Sequence, residues 1–419
     1  MSEAVVSLEA FRNESRKWID RNLEPKPKTM SRGIRTENKT VSEIESSRTL
    51  QRRLFEAGYA GISYPKEYGG RGLTVEHERV FREEAAGYRT PEFGGAGAVT
   101  FGAVGRSLVA HASKDFLNRH IPKILAGEEL WCQFYSEPDA GSDLAGIRTS
   151  ATKDGDCWIL NGSKIWSTGA YYADWAMCLA RTDWEAPKHR GLTWFAVPTN
   201  ADGLTIERIL QIDGSSGFCQ EFLEQVTVGK DDVIGEINRG WSVAQTMLVY
   251  ERGAGEMGAS TLEPRALAPD LVALAKKVGR DEESSVRQSI ARAHVNDYAQ
   301  YHLGKRIAAR LRSSANPDPG VAAYGKLASG TLAPIRARLA IDIGGTEALL
   351  WHRGDSSAQT YAIDYLNGRM TAIAAGTNEV QRNGIGERVL GLPREPTFDS
   401  TTPFSEVLRK AQAWNSRVG

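Results

Sequence analysis

The sequence predicts an α+β chain in three parts: helices, then strands, then helices again. Three observations carry this. From about 1 to 128 the text is rich in Ala, Leu, Glu and Arg with few β-branched runs; between about 131 and 235 short apolar or alternating segments are separated by turn dipeptides; after Gly240 helical periodicity returns. The expected domains are therefore 1–128, helical; 129–237, β; and 238–419, helical, with the first and last thirds placed to share a helical bundle.

The opening "MSEAVVSLEAFRNESRKWIDRNLEPKP" has no basic run followed by an apolar one and reads as an amphipathic helix rather than a signal peptide. "YPKEYGGRG" is a break, where Pro and paired Gly stop an element. "DCWILN", "DWAMCLA", "LTWFAVP" and "LTIERIL" read as strands, and Asp154-Gly155 and Asn161-Gly162 are dipeptides that suit tight hairpins, so the middle is expected to be an antiparallel β domain of roughly six to eight strands. Val286, Ile290, Ala293, Tyr301, Ala308 and Leu311 fall on one stripe of period 3.6 and predict a long packed helix. There is no internal repeat or low-complexity tract.

Composition excludes several classes of function. The chain has 419 residues, 41% hydrophobic and 25% charged, with 52 basic and 52 acidic residues, so no overall field favours nucleic acid. No stretch approaches the roughly 18 apolar residues of a membrane span, and a cytoplasmic location is expected. Cys132, Cys157, Cys178 and Cys219 are scattered without CxxC spacing and read as buried thiols; the 7 histidines form no HExxH pair, so no metal site is expected.

Three stretches carry chemistry. "WCQFYSEPDAGSDLAG" (131–146) offers hydroxyls at Ser136 and Ser142 around a turn, which suits a polar heterocycle or a phosphate-bearing ligand. "LNGSKIWSTGA" (160–170) ends a strand with Trp166 and Thr168 two residues apart, hence on one face, where an indole and a hydroxyl can pack on a flat ring; the competing reading is a sheet-core aromatic and a strand filler. "IAAGTNEVQR" (373–382) reads as a turn and helix start against a ligand, with Gly376, Thr377 and Asn378 offering little bulk. Gly253 to Gly258 fits GxGxxG literally, with Asp270 downstream, but no βαβ unit follows, so the glycines are read as a bend or a close substrate approach.

These stretches, with "GYAGISYPKEYGGRG" upstream and "GTNEVQRNGIGERVLGLPRE" near the end, resemble the acyl-CoA dehydrogenase family in order and over nearly the whole chain. The resemblance implies an N-terminal helical domain, a central antiparallel β-barrel-like domain and a C-terminal four-helix bundle, with FAD between them and usually a tetramer. It implies that Phe134, Tyr135 and Ser136 border the flavin, that Trp166 and Thr168 contact its ring near N5, that Ser142 lies beside the CoA arm of the substrate, and that Thr377 and Glu379 hold the adenylate part. The implied reaction removes a proton from Cα of an acyl-CoA while a hydride passes from Cβ to flavin N5, and an electron-transferring flavoprotein is the implied acceptor.

Many relatives place the base at the position of Ala375, where alanine keeps only the backbone N–H that meets the thioester oxygen. The carboxylate is expected instead from Glu251 in "QTMLVYERGAGEMGAS", because this resembles the actinobacterial-type members, acting on branched, long or steroid-derived acyl chains, whose base sits on the helix after the β domain just before an arginine, here Arg252. Glu256 lies five residues on, about 140° around a helix, and faces elsewhere. The Arg-x-x-Phe-Gly motif of many relatives, which reaches a neighbouring subunit's FAD, is missing: "KKVGRDEESSVRQ" follows Arg280 with three acids, and Asp342 stands where glutamine is common. A second reading is therefore a non-catalytic partner subunit of a heterotetramer, and a third is a flavin enzyme on this fold with another substrate.

Overall fold

The structure is a computed structural model that describes residues 6–26, 39–251, 267–313, 320–350, 356–394, 396–397 and 399–418. The first part is helical: α1 (Leu8–Asn22), α2 (Val41–Glu56), α3 (Val75–Ala85), α4 (Gly94–Gly97), a π-helical segment (Ala98–Val104), α5 (Gly105–His111) and α6 (Lys114–Ala126). The expected opening helix is amphipathic, burying Phe11, Ser15 and Ile19 at a four-residue interval. Thr40 and Glu43 form a reciprocal cap on α2, which satisfies backbone donors left over at a helix start. Phe11, Ile19, Leu54, Tyr59, Val80 and Phe81 then close one core between α1, α2 and α3.

The middle holds β1 (Trp131–Phe134), β2 (Ser150–Asp154), β3 (Cys157–Thr168), β4 (Trp175–Arg181), β5 (Leu192–Pro198), β6 (Leu204–Arg208), β7 (Phe218–Gly229) and β8 (Val233–Ile234). They form an eight-stranded sheet in the order β6-β7-β3-β2-β4-β5-β8, with β1 beside β4. It is mixed rather than wholly antiparallel, since β1 and β2 each run parallel to β4. The run "DWAMCLA" explains why: β4 is buried on both faces, as strands flanked by parallel neighbours generally are. Met177, Leu179 and Trp194 face the helices, while Cys178, Ala180 and Phe195 pack on Trp158, Leu160 and Val226 of β3 and β7.

Asp154-Gly155 does open the β2–β3 hairpin, with Gly155 at φ 56. Asn161-Gly162 is not a turn. It lies inside β3 opposite a bulge in β7, where Asn161 Oδ1 accepts from the backbone N–H of Gln225 at 2.9 Å. Gly162 is needed there because a Cβ would stand 2.4 Å from Thr149 Oγ1.

The last part comprises α7 (Gly240–Val249), α8 (Pro269–Lys277), α9 (Ser284–Ser313), α10 (Val321–Gly344), α11 (Thr346–Leu349), α12 (Ser356–Asn367), α13 (Asn378–Arg388) and α14 (Phe404–Val418). The stripe expected on α9 is real: Val286, Ile290 and Ala293 pack on Leu339, Ala340 and Ile343 of α10. α12 and α13 pack on α10 in turn, while α7 joins the two helical parts by packing on α5. Among the described residues no helix is long and apolar enough to cross a membrane.

Candidate functional site

A bulge governs the end of β3. Ile165 pairs with Gln220 and Ser167 with Cys219, so Trp166 is an extra residue in the ladder. It takes φ 68, a left-handed conformation that an aromatic rarely adopts, and is 55% exposed. Simple alternation from the buried Trp158, Leu160 and Lys164 would send Trp166 and Thr168 into the core; the bulge reverses the phase, so Ser167 is buried, Trp166 exposed and Thr168 half-buried. The core-aromatic reading of Trp166 therefore fails. Its ring meets Phe218 edge-on at 6.0 Å and leaves a flat apolar surface bare.

Beside this strand end runs the 134–149 segment. Phe134 is wholly buried in the cluster formed with Cys178, Phe195 and Val226, and Tyr135 packs on Trp194 and donates to the Ala244 carbonyl, so neither presents an open side chain. Ser136 is half-buried, and its carbonyl accepts from the Ile165 N–H at 2.9 Å, which couples the two motif stretches directly. Ser142 is exposed on the loop that follows. That loop is clamped at its base, because Glu137 accepts from the N–H groups of Arg148 at 2.6 Å and Thr149 at 2.8 Å. Arg181, itself fully buried, donates to the carbonyls of Ala145 at 2.6 Å and Ile147 at 3.2 Å and stacks 3.8 Å over the ring of Phe404. Burial lowers its pKa to about 10, against the pull of Glu137, Asp143 and Asp183, yet leaves it charged at neutral pH.

Two further charged residues that sequence reasoning missed lie under the site. Lys164 is fully buried and donates to Glu137 Oε1 at 2.9 Å and to the Tyr135 carbonyl at 3.0 Å. Glu221, its cross-strand partner, is equally buried; it accepts from Ser167 Oγ at 2.9 Å, while Oε1 has no hydrogen-bond partner. The signal for Lys164 was available, since it falls on the same period-2 phase as Trp158 and Leu160.

Burial pushes the Glu221 carboxyl up to about 7, with the Ser167 bond and the Lys164 charge pulling only part of the way back. A folded pKa raised above the ordinary 4.5 means stability that is complete below 4.5 and lost as pH rises through 7, up to about 3 kcal/mol from this group. Burial also pushes Glu137 upward, but the Lys164 charge and the donors from 148 and 149 outweigh it, so its pKa is lowered and its contribution is lost in acid instead. Denaturant midpoints of the wild type and Glu221→Gln, followed from about pH 5 to 8, should diverge in favour of the variant as pH rises. Parallel curves would remove Glu221 as the titrating group.

Glu251 stands at the end of α7, the helix whose Ala244 carbonyl accepts from Tyr135. α7 buries Val243, Ala244 and Met247, then widens into a π turn at Tyr250 and Glu251, a distortion often found at functional positions. Both residues line a cavity of about 590 Å³ that reaches into the N-terminal helices, walled by Leu54, Ile62, Tyr64, Phe81 and Phe101. Polar groups share the lining, among them Lys26, Gln51, Arg82 and Arg106, the last held by Glu78 at 2.7 Å and by Ser63. Arg252, Glu256 and the Gly253–Gly258 motif lie outside the described residues.

Ala375 takes φ 54 and Gly376 φ 88 in the turn before α13, and Thr377 caps that helix by accepting from the Val380 N–H. Glu379 is exposed in the first turn, paired with Arg382 at 3.3 Å. Among the described residues no hydrogen bond, ion pair or ring contact joins Thr377 or Glu379 to the Trp166 end of β3, and Ala375 is not among the residues lining the Glu251 cavity.

Family models for the acyl-CoA dehydrogenase N-terminal, middle and C-terminal domains match residues 7–128, 132–226 and 238–390. The chain belongs to the acyl-CoA dehydrogenase family. It is 34% identical over 390 residues to the acyl-CoA dehydrogenase IpdE1 of Mycobacterium tuberculosis, covering 93% of this chain and 98% of that protein. Among solved structures, the Tcur3481-Tcur3483 steroid ACAD is similar with a TM-score of 0.74 at 29% identity, covering 93% of this chain and 98% of that one. The ChsE4-ChsE5 complex from Mycobacterium tuberculosis gives a TM-score of 0.70 at 26% identity, covering 94% and 100%.

Acyl-CoA dehydrogenases are FAD-dependent oxidoreductases, and the residues here fit that cofactor. The bare face of Trp166, held outward by a strained bulge beside the Thr168 hydroxyl, suits a planar heterocycle. Among the free cysteines, burial pushes the Cys178 thiol up to about 12 and the Cys219 thiol to about 11, so neither of these is a ready nucleophile.

Proposed function

We propose that this chain dehydrogenates a bulky acyl-CoA between Cα and Cβ, with Glu251 as the base that takes the α-proton. The observation that carries the reading is the placement of Glu251 and its π turn on the wall of a large, mainly apolar cavity. Glu251 is exposed at this wall, and a bulky acyl chain filling the cavity would cover it and exclude the water that quenches a developing enolate. FAD, when bound, supplies the hydride acceptor. The chain's own residues do the rest: the Ala375 N–H donates to the thioester oxygen, Ser142 flanks the CoA arm on its clamped loop, Trp166 and Thr168 seat the flavin ring, Thr377 and Glu379 hold its adenylate end, and Arg252 orients the substrate beside the base.

Cavity size supports a branched or polycyclic acyl group over a short straight one, as does the likeness to a structure titled a steroid ACAD. An electron-transferring flavoprotein is the acceptor we assign, and the cytoplasm the compartment. A second reading, a partner subunit that completes another chain's flavin site, draws on Arg280. Its guanidinium donates to the Asp342 and Ile343 carbonyls at the end of α10 and pairs with Glu283 at 2.9 Å, so it is engaged within its own chain. The similar structures named for two chains favour a heteromeric assembly as well.

The deciding experiment is the visible spectrum and flavin-to-chain ratio of the chain purified alone, followed anaerobically by straight, branched and steroid acyl-CoAs. A yellow protein bleached by a bulky thioester is the expected result. A colourless protein would overturn self-sufficiency and favour the partner-subunit reading, and bound flavin that no acyl-CoA reduces would point to another substrate class.

A further inference from the structure

The two segments at the proposed flavin face, 135–137 and 166–168, are each bonded to one of two buried ionisable residues that oppose each other across β3 and β7. Lys164 serves the first segment, through Glu137 and the Tyr135 carbonyl. Glu221 serves the second; among the described residues its carboxyl accepts one hydrogen bond, from Ser167. Packing alone does not call for an acid at 221: the position faces the interior with Cys219 and Leu223 on either side, and an apolar side chain there would avoid burying a carboxylate with one oxygen unpaired.

Trp166, by contrast, needs an anchor. A bulky residue at φ 68 persists only where its surroundings over-determine it. The anchors within reach are the Ile165 N–H on the Ser136 carbonyl, the Gly169 N–H on the Gly217 carbonyl at 2.9 Å, and between them the Ser167 hydroxyl on Glu221. Ser167 is also the residue that restores the strand to its inward phase after the bulge.

We propose that Glu221 is a positioning residue for the cofactor: by holding Ser167 it fixes the bulge that turns Trp166 and Thr168 outward to the flavin. The inference rests on Trp166 and Thr168 as flavin contacts. It adds a residue that touches neither cofactor nor substrate and acts only through Ser167.

The test is FAD titration of the deflavinated chain, together with the visible band shape of the bound flavin. It compares wild type with Ser167→Ala, Glu221→Ala, the double variant, Glu221→Gln and Trp166→Ala. Ser167→Ala and Glu221→Ala should each weaken FAD binding about tenfold, the worth of one buried hydrogen bond, and change the flavin band alike. The double variant should be no worse than either single one, because both remove the same link. Glu221→Gln, which keeps an acceptor for Ser167, should restore binding and spectrum; a merely structural defect would not be rescued in the spectrum. Wild-type binding in both alanine variants while Trp166→Ala is impaired would overturn the positioning role and leave the flavin contacts standing. Wild-type binding in Trp166→Ala would sink the contact reading itself, and this inference with it. If Glu221→Ala fails to fold, Ser167→Ala against Glu221→Gln still decides.

Discussion

Replacing Glu251 by glutamine is expected to leave FAD bound and to slow its reduction by substrate by roughly 10²–10⁴-fold, the usual contribution of a positioned general base. Glutamine keeps the shape and the hydrogen-bonding reach of the side chain but cannot take a proton. Because the exchange conserves size at the π turn that ends α7 and leaves the bulge at Trp166 untouched, the cofactor's spectrum should be unchanged in the oxidised state. Rapid mixing of oxidised variant with acyl-CoA under argon reads the step directly. A reduction rate within a few-fold of wild type would remove Glu251 as base, and Ala375→Glu in the variant background then asks whether the other end of the site accepts a carboxylate. Ala375 already holds φ 54, so the glutamate would add no new class of backbone strain there.

Lys164→Met should be the most destabilising single change on the β domain, by about 3–5 kcal/mol, since it leaves a buried carboxylate without its counter-charge. Glu137 would keep its two backbone donors but lose the ammonium at 2.9 Å, and the Tyr135 carbonyl would lose its donor at 3.0 Å. Methionine fills much of the same volume, so the loss measures charge rather than a cavity. Denaturation by urea at neutral pH gives the number. Adding Glu137→Gln should recover part of it, because a neutral amide needs no counter-charge; a double variant as unstable as the sum of the singles would count against the ion pair as the cause.

Much of this architecture was legible because each part obeys one periodicity. The α9 stripe, the opening amphipathic helix and the β4 strand were legible in this way, though not that β4 is buried on both faces. What misled was the assumption that alternation runs unbroken along a strand. Asn161-Gly162 looks like a hairpin turn because the same small, permissive pair also suits a strand opposite a bulge. Trp166 and Thr168 do share the open side, but only because an extra residue reverses the phase two positions after Lys164. Bulges arise from pairing between strands far apart in sequence, and a single chain of letters does not display that register. Buried Lys164 and Glu221 were passed over for a related reason: charged residues in strands are usually solvated, and their partners at 137 and 167 are brought close only by the sheet. At the site, the motif residues do not by themselves distinguish a side chain that faces outward, such as Trp166, from one packed inside, such as Phe134.

Arg181 gives the fold a direction in time. Its guanidinium is covered by Phe404, and the Phe404 N–H docks on the Ala186 carbonyl, so the lid on this charge belongs to the last helix of the chain. A chain emerging from the ribosome completes every strand of the β domain long before that lid exists. Until α14 is synthesised, Arg181 lacks the ring that covers it, and the middle of the protein reaches its final packing only when α14 docks.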